Sequence, residues 1–120
     1  MTPEELHRLL ESEAQAFMLL HSSDDPARFA MRFHGARELP IRAIAEQLAC
    51  QRKAAKKLPL LSRHHLLYTP LALEQASGER AAAYKASFIF GKRLIDLSGG
   101  LGVDTMLLAK GFESVVYCSR

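Results

Sequence analysis

Three glycines fall within four residues at Gly99-Gly100-Leu101-Gly102, and they constrain the fold more tightly than any other stretch. The apolar run Leu94-Ile95-Asp96-Leu97 leads into them and predicts a short buried strand. The stretch from Val103 to Ala109 leads out with helical periodicity. A strand that turns into a helix this quickly needs backbone angles that a Cβ forbids, and glycine permits them. Bare main chain also lets a ligand lie against it, with the first N–H groups of the helix aimed at that ligand. A plain strand-to-helix turn with no ligand would satisfy the same residues.

Ligand-binding turns of this kind are told apart by spacing. A phosphate loop needs a Gly-Lys-Ser/Thr ending after the strand, whereas Gly91-Lys92 is followed by Arg93 and precedes it. A dinucleotide turn needs a third glycine three residues further on, but Gly102 is followed by Val103, Asp104 and Thr105. What remains is an acidic residue, a small one and two glycines at alternate positions: Asp96, Ser98, Gly100 and Gly102. This pattern resembles motif I of class I S-adenosylmethionine-dependent methyltransferases. The resemblance implies S-adenosyl-L-methionine as cofactor, with its methionine end held by Asp96, Gly100 and Gly102. Ser98, Gly99 and Asp104 belong to the same cofactor-binding segment, Ser98 standing where that family usually has its first glycine.

Two upstream segments extend the match. Gln47 to Pro59 and Leu73 to Ser87 resemble the segments before motif I in a bacterial methyltransferase family of Bacteroidetes whose members carry a C-terminal THUMP-like domain. The resemblance covers roughly residues 40–120. THUMP domains are associated with RNA, so it implies RNA as the methyl acceptor. Such enzymes usually place an acidic residue after the second strand to bind both ribose hydroxyls, and here that position is Ser119. A hydroxyl can make one such bond without the charge, a loss of about 1–3 kcal/mol of binding. Within the second upstream segment Gln75, Ser77, Glu79 and Lys85 are polar. They read equally as caps and solvated surface or as groups facing a pocket.

The remaining chain reads as helices. Thr2-Pro3-Glu4-Glu5 is a capping-box start, and Leu6, Leu9, Leu10, Ala14, Phe17 and Leu20 predict one helix to about His21. Asp25-Pro26 starts a short helix with Phe29, Ala30 and Phe33 on one face, ended by Gly35. Pro40 opens a third, with Ile41, Ile44, Ala45, Leu48 and Ala49 as its apolar stripe. Its far end carries Arg52, Lys53, Lys56 and Lys57, which either complement the helix dipole as a solvated end or contact phosphates of RNA. Residues 58–70 are extended or a packed loop, and 71–75 form a helical turn. Ser77 can cap a helix reaching Ile89. Ser114 to Cys118 is β-branched and aromatic, predicting a second strand parallel to the first. The adjacent His64 and His65 point apart and predict no metal site.

The fold class expected is α/β: an N-terminal helical region over 1–89, then the first β-α-β unit of an incomplete Rossmann-like methyltransferase sheet over 90–120. On that reading the chain is a shortened gene product or one piece of a split frame, inactive alone, and no catalytic base can be named. The net charge of +3 permits nucleic acid as a partner without demanding it. Two cysteines with no metal-ligand spacing, and no apolar run near the ~20 residues of a membrane span, predict a reduced, cytoplasmic protein. Two rival readings are a non-catalytic helical module binding nucleic acid through residues 52–57, and an oligomer that pairs residues 90–120 between copies.

Overall fold

The computed structural model describes residues 1–97 and 99–119. The chain divides into two compact units, residues 1–53 and 54–120.

In the first unit, α1 (Pro3–Leu10) has the predicted capping box: Thr2 Oγ1 accepts from the Glu5 amide at 3.1 Å, and the Thr2 amide donates to the Glu5 carboxylate at 2.9 Å. The single long helix expected from the apolar repeat does not form. Glu11 is extended, at φ −64° and ψ 144°, and α2 (Ser12–Leu20) starts afresh. The Gln15 side-chain amide donates to the Leu9 carbonyl, replacing a helical bond lost at the break. The restart shifts the helical phase. Leu9, Ala14 and Met18 are buried, while Leu10 and Leu20 turn outward at 59% and 75% exposure.

Asp25 caps α3 (Pro26–Arg32) by accepting from the Arg28 amide. Phe17, Phe29, Phe33 and the His21 ring cluster with centroids 4.6–5.7 Å apart. α4 (Ile41–Lys57) crosses the division between the units. Ile41, Ile44 and Leu48 are buried as predicted, but Ala45 and Ala49 are only half-buried, and Ala43, Gln47 and Cys50 are buried with the stripe instead.

The second unit holds the end of α4, a 3-10 turn at Leu61–His64, α5 (Pro70–Gln75) and α6 (Glu79–Ala86). It continues through β1 (Gly91–Asp96), α7 (Val103–Leu108), a 3-10 turn at Ala109–Gly111 and β2 (Phe112–Tyr117). Among the described residues Ala54, Leu58, Tyr68, Leu73, Ala82, Val103 and Leu108 are its buried apolar side chains. The two strands are parallel, with Leu94 opposite Val115, Ile95 opposite Val116 and Asp96 opposite Tyr117. The chain is therefore α/β, mostly helical, with the β-α-β unit where the glycine turn places it. β1 begins at Gly91, earlier than the apolar run alone predicts, and β2 begins at Phe112, ahead of the predicted Ser114. Ile95 and Val116 leave one face of the pair 60% and 53% exposed at those residues.

Ser77 is not the cap of α6, as its type and position predict. Gly78 occupies the cap position without a side-chain bond, and the Ser77 hydroxyl donates to Asp104 instead. The helix also stops at Ala86, short of Ile89. Among the described residues no helix is long and apolar enough to cross a membrane, and no group of three His, Cys, Asp or Glu side chains could hold a metal ion.

Candidate functional site

The site lies in the second unit, where β1 and β2 end. The ladder continues past the strands: the Cys118 amide donates to the Asp96 carbonyl at 2.8 Å, and the Gly99 amide donates to the Cys118 carbonyl at 3.0 Å. The turn then closes on itself, the Gly102 amide donating to the Gly99 carbonyl at 2.7 Å. Gly100 and Gly102 sit at φ 53° and 77°, left-handed angles that a side chain would strain. Gly102 is the residue at the start of α7. Gly99 is glycine for another reason: a Cβ there would collide with the Tyr117 ring. The Tyr117 hydroxyl also donates to the Gly100 carbonyl. The turn is thus covered on the Gly99 side by Tyr117, while Gly100 is exposed.

A groove of about 630 Å³ opens beside Gly100. One wall is α5 and its cap, with Thr69, Leu71, Ala72, Gln75 and Ala76. The other is Leu97, Gly100, Leu101 and Ser119 at the strand ends. Open α/β sheets bind ligands at the C-terminal ends of their parallel strands, and the volume falls in the usual range for small-molecule sites. The walls are mostly apolar, with neutral polar groups at Thr69, Gln75 and Ser119 and bare main chain at Gly100. The Thr69 hydroxyl accepts from the Ala72 amide, so its own proton remains to be donated.

The sequence-predicted residues divide into three sets. Gly100 and Ser119 line the one groove. Asp96 and Asp104 engage partners within the protein: Asp96 accepts from the Thr105 hydroxyl, and Asp104 accepts from Ser77 at 2.7 Å and from Lys85 at 3.1 and 3.3 Å. Gly99 and Gly102 shape the turn, and Ser98 lies outside the described residues. Thr69, Leu71, Ala72, Ala76, Leu97 and Leu101 line the groove with no sequence signal that singled them out, and Gln75, whose sequence reading was open between surface and pocket, lines it too. Gln75 stood in the distinctive upstream segment, and only the fold shows that α5 is a wall.

The cationic segment is not uniform. Lys57 donates to the carbonyls of Leu73 and Glu74 at 2.8 and 3.0 Å, closing the C-terminal end of α5. Arg52 pairs with Asp25 at 3.4 Å at the surface. Lys53 and Lys56 are exposed. Elsewhere Glu79, 7% exposed, accepts from the amides of Leu60 and Leu61 at 3.0 and 2.6 Å and so holds the 3-10 turn. In the first unit, burial and then the nearby Glu46 push the Cys50 thiol up, with Lys53 opposing.

No protein-family model matches the chain, and no curated protein does. Among solved structures it is similar to a protein of Porphyromonas gingivalis W83 described as a "putative methyltransferase", at 30% identity and a TM-score of 0.70. The alignment covers 88% of this chain and 27% of that one, so the chain spans about a quarter of that protein's length. Similarity in both fold and sequence, over most of the present chain, thus runs to a protein described as a methyltransferase.

Proposed function

We propose that this β-α-β unit seats S-adenosyl-L-methionine in a methyltransferase. The observation that carries the reading is the groove at the parallel strand ends, lined by bare main chain at Gly100 and by Ser119. The residues present fit such a group. The positive φ at Gly100 and Gly102 keeps side chains off the turn, and Ser119 offers a hydroxyl to a ribose. Gln75 and Thr69 offer neutral donors and acceptors from the facing wall. When bound, the sulfonium supplies the methyl group. The protein's contribution is to fix that methyl against its acceptor, since positioning alone can remove several kcal/mol of a transfer barrier. Asp96, tied to Thr105, holds the strand end in place beneath the turn.

RNA is the proposed acceptor class, with Arg52, Lys53 and Lys56 as phosphate contacts and Lys57 as a structural cap. Cytoplasmic residence accords with Cys50 and Cys118 both being free thiols.

The reading is tested by titrating the chain with S-adenosylhomocysteine in a calorimeter. Saturable one-to-one binding that is lost in Gly100→Val, with the variant still folded, is the expected result. Absence of binding by the unaltered chain would remove the proposal. RNA binding is tested separately by its salt dependence: affinity should fall steeply with salt and weaken in Lys53→Ala/Lys56→Ala.

A further inference from the structure

Ser77 and Lys85 belong to the distinctive segment before the glycine turn, and both meet Asp104, well beyond them in sequence. Asp104 Oδ2 accepts from Ser77 Oγ at 2.7 Å and from Lys85 Nζ at 3.3 Å, while Oδ1 accepts from Lys85 Nζ at 3.1 Å. Lys85 Nζ also reaches Ser77 Oγ at 3.4 Å, closing a three-membered set. Ser77 lies just before α6, Lys85 in its last turn, and Asp104 in the first turn of α7. The set therefore fastens the start of α7 to both ends of α6. Only Val103 separates Asp104 from Gly102, the left-handed residue that closes the turn.

An ion pair whose side chains are 41% and 31% exposed would by itself add little to stability. Its position gives it a different use. The glycine turn has few side chains to hold it, and glycines at positive φ are the residues freest to leave that conformation. Its far end is fixed by the Asp96 and Cys118 ladder. Its near end is fixed where α7 starts, and Asp104 is the charged anchor there. The two carboxylates of the motif thus do similar work: Asp96 binds α7 through Thr105, and Asp104 binds α6 through Lys85 and Ser77.

We propose that Lys85, Ser77 and Asp104 form a clamp that holds the glycine turn in the shape that receives the cofactor, making all three positioning residues for that site. This rests on the cofactor reading above, and it assigns Asp104 to the support of the turn. A displacement of about 1 Å at a reacting group can cost on the order of 100-fold in rate, so a support of this kind acts without touching the ligand.

Lys85→Met, Lys85→Arg and Glu79→Gln, with the unaltered chain, test it. Two readouts are taken: amide hydrogen exchange without ligand, and affinity for S-adenosylhomocysteine. Lys85→Met should speed exchange at residues 99–106 and weaken affinity about tenfold, roughly one charge-assisted hydrogen bond. Lys85→Arg should restore most of both. Glu79→Gln, which lowers stability through the Leu60 and Leu61 amides, should leave exchange at residues 99–106 and affinity unchanged. Exchange and affinity unchanged in Lys85→Met overturn the clamp, as does loosening equal to that in Glu79→Gln. If the unaltered chain binds no cofactor, the functional reading fails on its own. Exchange then judges the clamp: faster exchange confined to 99–106 supports it, and unchanged exchange overturns it.

Discussion

Tyr117 lies on Gly99, its ring occupying the space where any Cβ at that position would be. The hydroxyl of the same side chain donates to the Gly100 carbonyl, so one residue of β2 holds two residues of the turn. The glycines therefore have separate causes. Gly99 is required by a neighbour, and Gly100 and Gly102 by their backbone angles. None of the three is by itself a mark of a ligand. The ligand reading rests on where the turn sits and on the groove beside it.

Gly99→Ala should destabilise the second unit by about 1–3 kcal/mol, the usual cost of overpacking. Tyr117→Ala made alone should also destabilise, because it gives up the ring contact and the bond to Gly100. Combined, the two should cost less than their sum, since each removes the conflict the other creates or relies on. Urea denaturation of the four proteins measures this. Strict additivity would mean that the ring does not lie where the structure places it.

Glu79 holds two backbone amides with a nearly buried carboxylate. Glu79→Gln keeps the shape but sets an amide N–H against one of those donors. The expected loss is about 1–3 kcal/mol, with faster amide exchange at Leu60 and Leu61. Unchanged stability and exchange would show that the 3-10 turn does not depend on this contact.

The glycine turn, the two parallel strands and the short helix between them were legible because their determinants are local. Glycines dictate the bend, and β-branched runs such as Val115-Val116 dictate the strand. Counting along a β-α-β unit put Ser119 just past the second strand, and that strand ends at Tyr117. Other features were hidden because tertiary partners overrode local chemistry. Ser77 has the composition of a helix cap, yet its hydroxyl is taken by Asp104. The break at Glu11 has no proline or glycine to announce it, and it is supported by a Gln15 side chain whose reach no periodicity encodes. Lys57 looked like its cationic neighbours until α5 folded back onto it. Gln75 could be assigned to the groove only once α5 was known to be a wall.

Cys50 and Cys118 should differ sharply toward thiol reagents. Burial raises the Cys50 pKa above its ordinary value of 9.0, so the folded chain holds that proton more tightly than the unfolded chain. That preference stabilises the fold in full below pH 9.0 and is lost as pH climbs through the higher folded value. Ellman's reagent at pH 8 should therefore modify Cys118, which is half-buried, well before Cys50. Stability measured above pH 9 should decline less steeply in Cys50→Ala. Equal reaction rates for both thiols would contradict the burial seen here.

We propose that the groove between α5 and the strand ends is the cofactor seat. Amide chemical-shift mapping during titration with S-adenosylhomocysteine tests it most directly. Saturable shifts are expected at Gln75, Ala76, Leu97, Gly100, Leu101 and Ser119, with residues 1–53 unmoved. Shifts that never appear, or that gather within residues 1–53 while the strand ends stay still, would contradict it.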